Sequence, residues 1–168
     1  MPMTHYMELL ATHQPWNLLL FMAVPVILAE TLAVTELYVL FTRNLDGTVR
    51  LVNRTAGIAV GFYFLAVFLY LSVTAAWPLT ANGGWRGWID LVAVAFYLAG
   101  VVPLFGIALL ELGWLLPRGS AEQRLRVHAA LVALFLVVAH VAMIFGMMDP
   151  TLGGWQEAVL PLGHHHQP

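Results

Sequence analysis

Four long runs of apolar residues, separated by short polar segments, dominate the 168-residue chain. Each run can cross a hydrocarbon core of about 30 Å, which requires roughly 20 helical residues. Tryptophan and proline residues fall near the ends of the runs, where indole rings favour the interface and a missing N–H group costs little. The pattern predicts a single all-α membrane domain, an up-down four-helix bundle. The expected spans are about 16–42, 57–77, 88–116 and 127–148.

Composition supports the same class and excludes several others. Hydrophobic residues make up 61% of the chain and charged residues 10%, which is too apolar for a soluble domain of this size. The absence of cysteine excludes disulfides and thiolate metal sites. The sequence has no phosphate loop, serine triad or HExxH motif, so we expect no enzyme. It has no basic stripe either, so we expect no nucleic-acid partner.

Arginine placement predicts the orientation of the bundle. Only one of the seven arginines, Arg86, lies between spans two and three, and neither terminus carries a Lys or Arg. Short cationic loops remain in the cytoplasm. We therefore expect a bacterial inner-membrane protein with both termini on the periplasmic side. The six other arginines occupy the two loops expected to be cytoplasmic: Arg43, Arg50, Arg54, Arg118, Arg124 and Arg126.

Ionisable side chains inside the spans are the candidate functional residues, because they are costly in hydrocarbon and usually face protein or water. Their expected depths form a ladder from the outer to the inner side. Its members are Asp90 outermost, Glu30 and His140 near the midplane, Glu36 and Glu111 below them, and His128 at the inner mouth.

Glu30 and His140 have similar depths, and we expect them to face each other as the central site, with Glu36 and Glu111 as an inner relay. Two carboxylates that share a depth in low dielectric should not both remain ionised and unpaired. For Glu111 and His128 there is a second interpretation. They lie near the interface, where they could be solvated or could pair with Arg118, Arg124 or Arg126.

Two further patterns concern helix packing. Gly57 and Gly61 have the GxxxG spacing that permits close helix contact, and Gly100, Pro103 and Gly106 should kink the third span. Glu30 and Glu36 point about 120° apart on the first span. A helix that is polar on several sides cannot face lipid all round, so it is either enclosed by the other spans or part of an oligomer. We expect a homodimer or a larger membrane complex.

Histidine and methionine residues gather near the outer side, and soft thioethers with imidazoles suit copper. The same methionines are also ordinary fillers of apolar helices. No cofactor is the main expectation; copper and haem b are alternatives. Haem is disfavoured because His128 and His140 lie on one helix, about 18 Å apart. The candidate metal ligands are His5, His13, Met143, Met147, His164, His165 and His166.

Three stretches, 13–36, 81–111 and 137–152, resemble a group of small bacterial four-helix inner-membrane proteins that are loosely described as permease-like or left uncharacterised. The likeness covers nearly the whole chain and includes Glu30, Glu36, Glu111 and His140. This resemblance implies a membrane location and little about chemistry.

The residues support two hypotheses for function. In the first, the protein is a small permease that moves a proton, a cation or a small solute through the Glu/His ladder. In the second, it is a non-transporting membrane subunit that binds metal or haem in its outer half and joins larger redox or transport proteins.

Overall fold

A computed structural model describes residues 2–156, and this part of the chain is helical, without strands. Four helices are long and apolar enough to cross a membrane, which confirms the predicted all-α membrane class. A short helix, α1, precedes them, and a 3₁₀ turn at Pro150–Gly153 follows them. The helices are α1 (His5–Ala11), α2 (Trp16–Thr42), α3 (Thr48–Ala81), α4 (Gly87–Glu111) and α5 (Ala121–Met147).

Helix boundaries differ from the apolar runs where polar residues have protein partners. α3 begins at Thr48 rather than near Gly57, and two polar residues of its first turns, Arg50 and Asn53, have partners inside the bundle. α4 ends at Glu111, where Gly113 adopts a positive φ of 79°. α5 begins with a capping box in which Ser120 and Gln123 satisfy each other's backbone N–H groups.

Prolines inside the long helices are accommodated by local changes in winding. A π-helical turn at Leu19–Ala23 comes directly before the turn that contains Pro25, and another at Ser72–Ala76 comes directly before Pro78. Proline removes a backbone donor and crowds the preceding turn, so a wider turn there relieves the clash. The predicted irregularity of the third span is a helix break at Gly100.

The GxxxG pair marks a close helix contact, as its spacing predicts. A Cβ added to Gly61 would lie 2.6 Å from the carbonyl oxygen of Leu104, and one added to Gly57 would lie 2.8 Å from Ile107 Cγ2. The absence of side chains at these glycines therefore lets α3 approach α4. An apolar core packs around this contact; its buried members are Leu32, Val60, Phe64, Leu104, Ile107 and Val132.

The two ends of the bundle differ. The loops after α2 and after α4 lie at the same end, where they line one cavity together. We call it the arginine end, because Arg50, Arg54 and Arg124 also line that cavity. The opposite, N-terminal end holds α1, which packs against α4 and α5.

Candidate functional site

A cluster of buried polar side chains lies near the arginine end and draws on all four long helices. We call it the arginine-end cluster. Its two carboxylic acids, its asparagine and its histidine are each at most 4% exposed. Its members are Glu36 from α2, Arg50 and Asn53 from α3, Glu111 from α4 and His128 from α5.

The imidazole of His128 lies between two carboxylates. Its Nδ1 is 2.8 Å from Glu36 Oε2, and its Nε2 is 3.2 Å from Glu111 Oε1. Both distances are within ion-pair range, but the ring is turned so that neither nitrogen forms a hydrogen bond with good angles. We therefore describe them as ion-pair contacts. Polar groups buried this deeply usually have aligned partners, so the two ring nitrogens of His128 are unusual in having none.

Arg50 lies partly exposed at the edge of the cluster and binds two of its members. Its Nη2 donates to both oxygens of Glu111, at 2.7 and 2.9 Å, and its Nη1 donates to Asn53 Oδ1. Asn53 in turn donates from Nδ2 toward Glu36 Oε2, at 3.2 Å. Arg54 approaches Glu111 less closely, at 4.0 Å. The two carboxylates are therefore connected on one side by His128 and on the other by Arg50 and Asn53.

The cluster places two carboxylates against one imidazole and two guanidinium groups, of which Arg50 is closely bound and Arg54 is more distant. Burial disfavours any uncompensated charge, so these groups are expected to compensate one another. The imidazole has a carboxylate oxygen close to each of its nitrogens, an arrangement suited to accepting and passing on a proton.

A second polar cluster fastens the N-terminal segment to the start of α4. Asp90 is fully buried and accepts from the backbone N–H of His5 at 2.6 Å and from that of Arg86 at 3.1 Å. Its second oxygen also contacts His5 Nδ1 at 2.5 Å, while Arg86 pairs with Glu8. Burial raises the pKa of the neighbouring Tyr6 hydroxyl above its usual value, so this side chain stays neutral.

The sequence of residues 1–160 matches the profile of a family of unknown function, DUF6803. The chain belongs to DUF6803. Comparison of this DUF6803 member with curated proteins found no match, and comparison with solved structures found none either. Membership agrees with the resemblance to uncharacterised proteins, and it assigns no activity to DUF6803.

The predicted midplane pair is not brought together in this DUF6803 protein. Glu30 and His140 are both exposed on the outer surface of the bundle. His140 Nδ1 contacts the carbonyl oxygen of Leu136 on its own helix, at 2.6 Å. The two side chains point away from the interior of the bundle. The contact between Glu36 and His128 also implies unequal depths, because Glu30 and His140 lie roughly 9 and 18 Å from that contact along their helices.

The burial of Glu111 and His128 bears on the second interpretation of these two residues. Neither side chain is solvated at the membrane surface, since they are 4% and 1% exposed. The arginine that binds Glu111 comes from α3 rather than from the loop between the third and fourth spans. The side chain of Arg124 donates instead to the carbonyl oxygen of Leu110.

The candidate metal ligands are scattered in the DUF6803 structure. His5 is engaged by Asp90, His13 is exposed with a positive φ of 49°, and Met143 and Met147 are exposed on α5. Within residues 2–156, no group of three or more His, Asp or Glu side chains is arranged to hold a metal ion. His164, His165 and His166 lie outside the described residues, so outer-face metal binding stays a prediction.

Arg50 and Asn53 are the site residues that hydropathy missed. Both precede the apolar run of the second span and looked like loop residues. The missed signal was helical spacing. The buried positions of α3 continue back from Val60 and Gly57 to Asn53 at intervals of three and four residues, so the buried face extends beyond the apolar run.

Proposed function

We propose that the protein is a small permease-like protein of the bacterial inner membrane, in which the arginine-end cluster binds and releases a proton during the movement of a proton, cation or small solute. The observation that carries the proposal is the position of His128, buried between the carboxylates of Glu36 and Glu111. The proton-binding centre is thus placed in this cluster, and Glu30 and His140 have a separate role.

In a purely structural role, these side chains would carry a high desolvation cost for little gain in stability. Buried ion pairs contribute little net stability, since desolvation offsets their attraction, and apolar residues of the same size often serve as well. Here two carboxylates share one imidazole, which is more than a simple ion pair needs. Ionisable groups inside membrane proteins are accordingly candidates for proton or ion pathways.

Access to the cluster supports a pathway from the arginine end. Glu111 and Arg50 line the cavity at that end, whereas the apolar core around Leu104 and Ile107 packs on the other side of the cluster. Short loops rich in arginine favour the cytoplasmic side. We therefore assign the arginine end to the cytoplasm, with the termini outside, and infer that release to the other side requires the core to open.

A second copy of the chain is part of the proposal. Glu30 and His140 are ionisable, exposed and within the hydrocarbon region, where facing lipid is unfavourable. Counted from the contact between Glu36 and His128, Glu30 lies roughly 9 Å and His140 roughly 18 Å further from the arginine end. Contact between subunits would therefore require both side chains to extend toward each other along the membrane normal. A carboxylate and an imidazole are complementary partners. We infer a homodimer in which Glu30 of each copy pairs with His140 of its partner.

Proton movement can be measured in liposomes that contain the purified protein and a pH-sensitive dye, under a potassium diffusion potential. We expect the wild type to carry protons, and His128→Gln to abolish this flux. His140→Gln is the matched control, because it removes another intramembrane histidine of the same helix that lies outside the cluster. Proton flux should persist in this variant, either in full or at a reduced rate.

Infrared difference spectra between acidic and alkaline buffer would add a direct reading of carboxyl protonation. The expected band should change in Glu36→Gln or Glu111→Gln. A wild type with neither proton flux nor a titrating carboxyl band in its spectrum would refute the proposal. A Soret band or stoichiometric copper in the purified protein would favour the non-transporting metal or haem subunit.

A further inference from the structure

The cavity at the arginine end, which gives access to the proton-binding centre in the proposed function, also has features of a ligand site of its own. It has a volume of about 810 Å³, within the usual range for small-molecule sites, and lies between the loops that follow α2 and α4. Its walls combine arginines with leucines, and α3 begins at its rim. We propose that this cavity binds a phosphate group, carried either by an anionic lipid or by free phosphate.

The charge of the lining favours an anion. The lining contains three arginines and only two acids, and one of these acids, Glu111, is already bound by Arg50. The arginines are Arg50, Arg54 and Arg124, and the second acid is Asp46. Arg54 has a 55% exposed side chain, and its only charged contact among residues 2–156 is the 4.0 Å approach to Glu111. Most of its guanidinium donors therefore remain available to a ligand, as do those of Arg124 beyond its single bond to Leu110.

Backbone donors add to the same site. Gly47, the N-cap residue of α3, lines the cavity and supplies no side-chain cap to the first turn. The first N–H groups of a helix are unpaired and carry partial positive charge, so they attract phosphate. At the other wall, the first turn of α5 is capped by Ser120. The anion should therefore bind toward the α3 side, beside Arg54.

Phosphate fits better than a halide. Guanidinium groups bind phosphate oxygens in pairs, and every cation of this chain is arginine rather than lysine. Basic cavities between transmembrane helices on the cytoplasmic side are typical sites for phospholipid headgroups. Leu45, Leu51 and Leu112 supply apolar surface in the same lining, which would suit the neighbouring part of a lipid.

The test uses the full-length protein in phosphatidylcholine nanodiscs, with unfolding followed by tryptophan fluorescence. One arm titrates inorganic phosphate; the other adds phosphatidylglycerol in phosphate-free buffer. We expect the unfolding temperature to rise in at least one arm, and that arm identifies the source of the phosphate. Arg54→Gln should weaken the apparent affinity by about tenfold, since it removes charge-assisted hydrogen bonds. Arg54→Lys should retain part of it.

Arg126→Gln is the control, because Arg126 lies at the same end, pairs with Glu122 and does not line the cavity. It should leave the response unchanged. An unresponsive wild type in both arms would overturn the proposal, as would a response that Arg54→Gln leaves intact or that Arg126→Gln weakens equally. The readout is binding, so the result holds whether or not His128 carries protons.

Discussion

In the proposed function, His128 is the residue that takes up and releases a proton. Its imidazole contacts a carboxylate on each side, Glu36 and Glu111, and all three side chains are buried. Because the side chains of the cluster come from four helices, a change of charge at His128 would act on the packing of the whole arginine end. Such coupling between a proton and helix packing is what proton-driven movement requires.

The pairing of Arg50 with Glu111 gives a prediction about stability. Arg50→Gln should lower the free energy of unfolding by about 2 kcal/mol, because it leaves the carboxylate of Glu111 buried with less compensation. The double change Arg50→Gln with Glu111→Gln should cost less than the sum of the single changes. Unfolding in mixed detergent micelles measures all three variants. Additive effects would contradict a direct interaction.

Asp90 gives a prediction about the N-terminal segment. Asp90→Asn replaces an acceptor oxygen with a donor and should weaken the bonds from His5 and Arg86. Hydrogen exchange of the α1 amides should accelerate on the order of tenfold. Glu8→Gln is the control, since Glu8 forms a more exposed pair with Arg86 and should change exchange much less. Equal exchange in all three proteins would show that Asp90 does not fasten α1.

At the scale of helices, the contact between α3 and α4 depends on the lack of a side chain at Gly61. Gly61→Ala would place a Cβ 2.6 Å from the backbone oxygen of Leu104, which cannot move aside as a side chain can. We expect a loss of about 2 kcal/mol in unfolding free energy. Gly106→Ala is the control, because its nearest neighbour, Leu131, would be at an ordinary 3.4 Å. Its stability should be unchanged or slightly higher.

The helices also show how much of the fold and of the candidate site could be predicted from the sequence. Hydropathy was sufficient for four helices, and ionisable residues in apolar runs singled out Glu36, Glu111 and His128. Depth along a helix follows from counting residues, but the direction of a side chain follows from tertiary packing. Glu30 was therefore expected to face the interior of the bundle, whereas the structure places it on the outer surface. The start of α3 was missed because Asn53 is polar yet buried, and Arg50 is polar yet paired with Glu111 on another helix.

In the molecule as a whole, the two clusters of buried polar side chains lie at opposite ends of the bundle, and an apolar core lies between them. The arginine-end cluster opens toward a cavity, the N-terminal cluster around Asp90 is closed by α1, and the core around Phe64 and Leu104 packs in the bundle interior. A continuous water channel is incompatible with that core as it is packed. Movement of a solute would therefore need alternating exposure of the His128 centre.

Orientation can be tested with single cysteines and an impermeant thiol reagent applied to intact cells. Asn82→Cys and Leu152→Cys should be labelled, and Asp46→Cys and Glu122→Cys should be labelled only after permeabilisation. All four positions are exposed on the protein surface, so protection would reflect the membrane rather than burial. A cysteine at position 4 would not test the N-terminal side, because Thr4 is fully buried and the reagent could not reach it. Labelling of Asp46→Cys in intact cells would reverse the proposed orientation.

The last prediction concerns the dimer. If Glu30 of each copy pairs with His140 of its partner, Glu30→Gln and His140→Gln should each lower the dimer fraction in liposomes, measured by single-molecule photobleaching. The double change should lower it no further, because either single change already removes both symmetric contacts. Exchanging the residues, Glu30→His with His140→Glu, should restore the dimer. His128→Gln is the control, since His128 is buried within one copy and should leave the dimer fraction unchanged. A monomer at every lipid dilution, or a dimer indifferent to Glu30→Gln, would mean that these two side chains meet no second copy.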